Sequence, residues 1–224
     1  MEGKRLSITA TKRDILDAAG CSRDRVATLA SYAEGRRTLD VGCTGARPAK
    51  GHTEASLARH LRIAQGASAC LGIDLDEEGV AELNRRGFRA QVADACTCEL
   101  GETFETIVAG ELIEHLPDPA AFFGNMRRHL AAGGRLALST CNPFCSKQLF
   151  KILRHGRPAV HPEHTAWYDP LTLMRLATHF GFEPLELIWI RERRGFDLRM
   201  LPRLFRKYFS ENFVLVLGVG AVSD

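Results

Sequence analysis

The stretch GELIEHL, residues 110–116, follows the strand-like run FETIVA and sets Glu111, Glu114 and His115 within five positions. If a helical turn begins after Gly110, spacings of i, i+3 and i+4 place the three side chains on one face. Two carboxylates crowded there repel unless a positive group lies between them or one keeps its proton. A divalent cation resolves that conflict, and oxygen with imidazole ligands suits magnesium, manganese, iron or zinc. Downstream, VHPEHTAWY (160–168) offers His161 and His164 as a further ligand. Without a metal, His115 or His164 is the candidate base that takes a proton from an acceptor. The plainer alternative is that Glu114 and His115 brace the loop that follows.

These groups need elements to hold them. RTLDVG (37–42), ACLGIDL (69–75), FRAQVAD (88–94), FETIVAG (104–110), RLALST (135–140), FEPLELIWI (182–190) and NFVLVLGV (212–219) read as strands. Helices are expected over 22–34, 54–64, 76–87, 118–134 and 169–181, with a polar loop from the fifth strand to about Tyr168. Gly87 and the pair Gly133-Gly134 act as helix stops, and Asp118-Pro119 as a helix start. Strand followed by helix, repeated, predicts a mostly parallel sheet covered on both faces. Ligands then bind beyond the carboxyl ends of the strands. That topology gathers Asp40, Asp74, Asp94 and GELIEHL on one rim.

LDVGCTG (39–45) is a strand running into a glycine turn, which lets a ligand approach the backbone. GIDLD (72–76) ends the second strand with an acid, and Asp74 can accept both hydroxyls of a ribose. Leu75 is placed to pack on an adenine ring. A dinucleotide fold offers the same acid but needs a tight G-x-G-x-x-G turn onto a helix. GCTGARPAKG lacks that spacing, which argues against a nicotinamide oxidoreductase.

Taken in order, LDVGC, GIDLD, VADA (92–95), GELIEHLPDP (110–119) and HLAAGGRLALSTCNPF (129–144) resemble the class I S-adenosylmethionine-dependent methyltransferases over roughly residues 35–190. The resemblance implies an α/β, Rossmann-like, doubly wound sheet of seven strands, mostly parallel with the last antiparallel. Residues 35–224 would form that domain behind an N-terminal helical segment, 1–34. It implies S-adenosylmethionine as cofactor, with Asp40, Gly42, Cys43, Thr44 and Gly45 lining its methionine end. Asp74 would hold the ribose, Leu75, Asp94 and Ala95 would border the adenine, and Glu111 would contact the methionine portion.

The family turn is usually D-x-G-x-G-x-G, whereas Thr44 and Ala46 stand at its second and third glycine positions here. Gly45 shifts the turn, and Arg47, Lys50 and His52 follow in an insertion close to the cofactor. Two metal-dependent branches carry E-x-x-E-H at this place: the polyprenyl catechol O-methyltransferases of ubiquinone synthesis and the small-RNA 2'-O-methyltransferases. By that likeness Glu111, Glu114, His115 and His164 form the metal set, His164 fitting the fourth position better than His161.

The totals narrow the function. A formal net charge of +3 over 224 residues gives no case for a general nucleic-acid binder. The densest charge lies in RERRGFDLRMLPRLFRK (191–207), a solvated connection or a contact for a phosphorylated or nucleotide-bearing acceptor, or for RNA. Seven cysteines, with no C-x-x-C pair, and an opening without an apolar signal stretch point to free thiols in a reducing cytoplasm. Cys141 and Cys145 flank the expected site, and His52 reads as a loop histidine. The apolar tail 213–219 is far shorter than the about 20 residues a membrane helix needs. Trp167 and Tyr168 are expected to wall the acceptor. The expected activity is methyl transfer to an oxygen of a small-molecule acceptor. A methyltransferase-like protein without methyl transfer and an RNA 2'-O-methyltransferase stand as alternatives.

Overall fold

The structure, a computed structural model, describes residues 14–45, 52, 54–191 and 207–219. Its strands are β1 (Gly20–Ser22), β2 (Arg37–Val41), β3 (Ala69–Asp74), β4 (Ala90–Val92), β5 (Phe104–Gly110), β6 (Leu130–Cys141), β7 (Phe182–Ile190) and β8 (Asn212–Val219). Its helices are α1 (Arg25–Ala33), α2 (Glu54–Gly66), α3 (Glu77–Arg85), α4 (Pro119–His129), α5 (Ser146–His155) and α6 (Pro170–His179). Residues 14–18 are also helical.

The strands form one sheet in the order β1-β7-β8-β6-β5-β2-β3-β4. Neighbours pair in parallel except where β8 runs against β6 and β7. The alternation of strand and helix thus gives the mostly parallel sheet with an antiparallel last strand. The count differs: eight strands lie in the described residues, not seven. The extra one, β1, pairs in parallel with β7 inside the stretch expected to be purely helical. Three residues are too few to show an apolar alternation.

Period-two packing sends alternate residues to opposite faces. On one face Ile107, Ala109, Leu136 and Leu138 pack with Phe122, Phe123, Met126 and Leu173. On the other Val108 and Ala137 pack with Leu29, Ala33 and Ile63. Both faces are covered, so β2 and β5 are buried almost throughout. Side chains of Asp24 and Asp118 cap α1 and α4 by accepting from Ala27 N and Ala121 N, at 2.8 and 3.0 Å. Asp169 and Thr172 form a capping box ahead of Pro170 in α6.

Two expectations are corrected. α4 ends at His129 instead of continuing to 134, because the chain turns straight into β6, whose ladder with β5 shifts register between Phe104 and Thr106. The supposed polar loop before Tyr168 contains α5, closed by Gly156 in the left-handed conformation at φ 70°. Among the described residues no helix is long and apolar enough to cross a membrane.

Candidate active site

The rim divides into a turn side, at the ends of β2 and β3, and a histidine side, at the ends of β5 and β6. On the turn side the amides of Gly42 and Cys43 both donate to Ile73 O, at 2.9 and 3.1 Å, binding the turn to the neighbouring strand. Gly42 and Gly45 have φ of 70° and 68°, where glycine is favoured. Thr44 donates from both its amide and its hydroxyl to Asp74 Oδ2, at 3.0 and 2.8 Å. Asp76 N donates to the other oxygen at 3.1 Å.

The residue standing where a glycine is usual therefore locks the acid at the end of β3. A carboxylate has about four lone-pair sites, so Asp74 retains acceptor capacity for ribose hydroxyls. The side chains of Cys43 and Thr44 are buried, leaving only their backbone near the rim. Leu75 is 69% exposed beside Asp74, an apolar surface open to a flat ring. Asp94 is exposed and accepts from Cys96 N at 2.8 Å, with Ala95 buried behind it. These groups fit a nucleoside.

Asp40 does not reach the rim. It is fully buried and turned inward, with Oδ2 at 2.9 Å from His60 Nδ1 and Oδ1 at 3.3 Å from Arg59 Nη2. Arg59 in turn donates to Gly110 O at 2.6 Å and to Gly42 O, stitching the end of β5 to the glycine turn. A Cβ at Gly110 would lie 2.7 Å from Arg59 Nη1, so glycine is required for this approach. Arg59 and His60 were not singled out from the sequence. Their signal, a cation and an imidazole adjacent on a helix facing a buried acid, appears only once α2 packs on β2. His52 pairs with Asp76, consistent with a loop histidine held structurally.

On the histidine side, Glu111 departs from the expected helical face. It has φ 51°, a left-handed conformation rare for a side chain of its size. Its amide continues the β5–β6 ladder by donating to Ser139 O at 2.9 Å. The helical turn, a 3₁₀ turn, begins only at Ile113. Glu111 consequently points elsewhere, and its carboxylate is 2.6 Å from Arg25 Nη1 at the start of α1.

Glu114 is buried, and burial pushes its carboxyl up to about 7, with the charge of Glu111 adding and backbone hydrogen bonds opposing. Its Oε2 has no hydrogen-bond partner among the described residues.

Three imidazoles meet beside it. His115 and His164 have ring centroids 4.7 Å apart, His161 and His164 5.2 Å, and His115 and His161 5.8 Å. One ligating nitrogen from each lies within 4.8 Å of the others. Burial lowers the pKa of His164, and His115 and His161 lower it further. Its Nδ1 is buried without a hydrogen-bond partner among the described residues. Thr165 builds this cluster: its amide and hydroxyl donate to Glu114 O at 2.8 and 3.0 Å, and its hydroxyl also to Leu116 O at 2.9 Å.

The donor set fits a divalent metal through His115, His161 and His164. Neither Glu111 nor Glu114 belongs to this cluster, although the backbone carbonyl of Glu114 anchors Thr165 next to His164. His161, the weaker of the two downstream histidines in the sequence, joins the set.

Trp167 and Tyr168, which follow His164 closely in the chain, line a cavity of ≈ 670 Å³ whose walls also include Phe144, Ile152 and Leu176. Trp167 and Tyr168 thus face an open volume. Burial, with the charge of Glu114 adding, raises the Tyr168 pKa. All seven cysteines are unpaired, and burial with the nearby acids pushes the Cys141 thiol up to about 12. Residues 192–206 of the basic segment lie outside the described residues, as do Ala46, Arg47 and Lys50.

A family model described as a methyltransferase domain matches residues 16–187. Among curated proteins, the ubiquinone biosynthesis O-methyltransferase of Leptothrix cholodnii is 27% identical over 186 residues, 77% of this chain and 72% of that protein. The protein of the same name from Alkalilimnicola ehrlichii is 32% identical over 138 residues, 58% of this chain and 51% of that protein. Among solved structures, the CcbJ methyltransferase of Streptomyces caelestis superposes with a TM-score of 0.59 at 17% identity, covering 93% of this chain and 96% of that one. The N-methyltransferase NodS of Bradyrhizobium japonicum, in complex with S-adenosyl-L-homocysteine, gives 0.57 at 16% identity, covering 96% and 98%. At such identities the structural likenesses speak for the fold.

Proposed function

Because the chain belongs to the methyltransferase-domain family and is a class I S-adenosylmethionine-dependent methyltransferase, we propose that it methylates an oxygen of a small-molecule acceptor. One observation carries this: three imidazoles converge, and the segment that brings His161 and His164 to His115 continues into Trp167 and Tyr168, which wall a cavity. The names of the curated relatives, O-methyltransferases of ubiquinone synthesis, support oxygen as the acceptor atom.

The donor sulfonium is already activated, so the protein's task is alignment and removal of a proton. Asp74 accepts the ribose hydroxyls, Leu75 packs on the adenine, and Asp94 with Ala95 borders the ring. The turn from Gly42 to Gly45 presents its backbone to the methionine end. Glu111, oriented by Arg25, contacts the methionine portion. The acceptor ring stacks on the aromatic wall with its hydroxyl toward the histidines. As the methyl group passes in line from sulfur to oxygen, the S–CH₃ bond breaks, the O–CH₃ bond forms and the hydroxyl proton moves to His164. The lowered pKa of His164 keeps that imidazole neutral and able to take the proton.

If a divalent metal is held by His115, His161 and His164, it would instead supply Lewis acidity toward the acceptor oxygen, with His164 a ligand in place of the base. Glu114 is then the buried carboxyl supporting His115 from the same turn. The unpaired cysteines suit a reducing compartment, and we place the protein in the cytoplasm.

The test offers the protein methyl-labelled S-adenosylmethionine with a catechol, an aromatic amine and a short RNA, and locates the label by mass spectrometry. Label on the catechol oxygen, lost in His164→Ala, is expected. Label on the amine nitrogen or on RNA alone overturns the small-molecule oxygen acceptor.

A further inference from the structure

α5 departs from the way a surface helix normally packs. Such a helix turns its apolar stripe to the core, yet none of the ten residues of α5 is buried. Phe150 is 60% and Leu153 77% exposed, and Leu149, Ile152 and the preceding Phe144 are exposed as well. At about 100° per residue, Leu149, Phe150, Ile152 and Leu153 fall on one side of the helix. Lys147, Lys151, Arg154 and His155 fall on the other.

The segment SKQLFKILRHGR, residues 146–157, contains four Lys and Arg residues and no acid. Lys147 pairs with Glu211 at 2.5 Å. Lys151, Arg154 and Arg157 have no ion pair among the described residues.

We infer that α5 docks the protein onto the surface of an anionic lipid bilayer, its apolar side sunk among the acyl chains and its cations among the headgroups. A helix with a sharp apolar side, a basic opposite side and modest overall hydrophobicity lies in that interface. Each cation near an anionic leaflet adds to the attraction. A second copy of the chain would satisfy the apolar side but bring cations toward cations, with no acid in the segment to receive them.

The apolar side is also continuous with the cavity, since Phe144 and Ile152 belong to both. Docking therefore sets the mouth of the cavity at the membrane, where an acceptor with a lipid tail would arrive without crossing water. The inference rests on the exposure and charge of α5 and not on the identity of the methylated atom.

The full chain should be floated with vesicles of pure phosphatidylcholine and with vesicles carrying about a quarter phosphatidylglycerol. Binding to the anionic vesicles at least about tenfold above the neutral ones, weakening with salt, is expected. Phe150→Glu with Leu153→Glu should abolish it. Lys151→Glu with Arg154→Glu should reduce it about tenfold or more. Neither pair touches a neighbour in the core, so thermal midpoint and S-adenosylmethionine affinity should stay as in the parent.

Equal recovery with both vesicle types, no recovery with either, or retention of binding by the Phe150/Leu153 pair overturns the inference. So does a dimer in solution that the same pair dissolves while vesicle binding is absent. Flotation reads docking without turnover, so its failure leaves the oxygen-acceptor reading standing.

Discussion

The two halves of the rim hold their charged groups differently. On the turn side each acid is bound inward or locally: Asp40 to His60 and Arg59, Asp74 to Thr44 and Asp76. Buried polar atoms without a hydrogen bond among the described residues occur on both sides. On the turn side Asp40 Oδ1, Arg59 Nε and His60 Nε2 lie within one mutually paired cluster. On the histidine side they are Glu114 Oε2 and His164 Nδ1, and there burial and the two neighbouring imidazoles lower the pKa of His164. Unsatisfied buried groups cost stability, and a fold tolerates them where chemistry uses them. In the proposed reading the turn side is a scaffold that holds the cofactor in one pose. The histidine side keeps capacity for an acceptor and its proton.

If that contrast is right, removing His164 should damage turnover and little else. His164→Ala is expected to lower kcat by about 10²–10⁴-fold, the usual contribution of a positioned general base. S-adenosylmethionine affinity should hold, because the cofactor groups lie across the rim. A parallel fall in cofactor affinity, measured by calorimetry, would erase the division of labour.

Arg59→Met attacks the other half. It leaves Asp40 buried beside His60 without its arginine and unties Gly42 O from Gly110 O. Breaking a buried pair from one side costs about 3–5 kcal/mol, so urea unfolding should show a loss near 3 kcal/mol. An exposed pair would show under about 1 kcal/mol. A loss of that smaller size would mean the turn side is held by the sheet alone.

Much of the scaffold was legible because it is written in local periods. Strands ending in an acid, Asp-Pro helix starts and glycine stops set the order of elements, and Asp118 and Asp169 do cap their helices. Groups fixed by distant contacts were not legible in this way. Glu111 takes a left-handed conformation because its amide must still reach Ser139 on β6, a demand invisible in GELIEHL itself. The histidines meet because Thr165 bonds the carbonyl of Glu114, 51 residues earlier. α5 had a local signal, apolar residues at i, i+3 and i+4 ahead of Gly156. The polar residues on either side of it mask that signal.

Glu114 sharpens the comparison through pH. Burial lifts its carboxyl from an ordinary 4.5 to about 7, so the folded protein holds that proton more tightly than the unfolded chain. The resulting stability is full below the ordinary pKa and is lost as pH rises through about 7. In chelator-treated protein, the parent should therefore lose about 2–3 kcal/mol between pH 5 and pH 8 relative to Glu114→Gln, which has no charge to bury. Parallel stability curves for the two proteins would show that Glu114 is solvated, and the histidine side would lose one of its costs.

The smallest effect is expected at Leu75, where the turn side meets the cofactor. The side chain is 69% exposed, so Leu75→Ala should change the unfolding free energy by no more than about 0.5 kcal/mol. Covering the same side chain with an adenine ring removes apolar surface from water, and the truncated methyl and methylene groups account for about 1 kcal/mol of that. Calorimetric titration should then show S-adenosylmethionine binding weakened about fivefold, with kcat at saturating cofactor unchanged. A loss confined to kcat would move Leu75 out of the cofactor's contact surface and make the acceptor its neighbour. An exposed leucine beside an acid locked by Thr44 offers a flat apolar group a surface to rest on, and the calorimetric loss is the measure of whether one does.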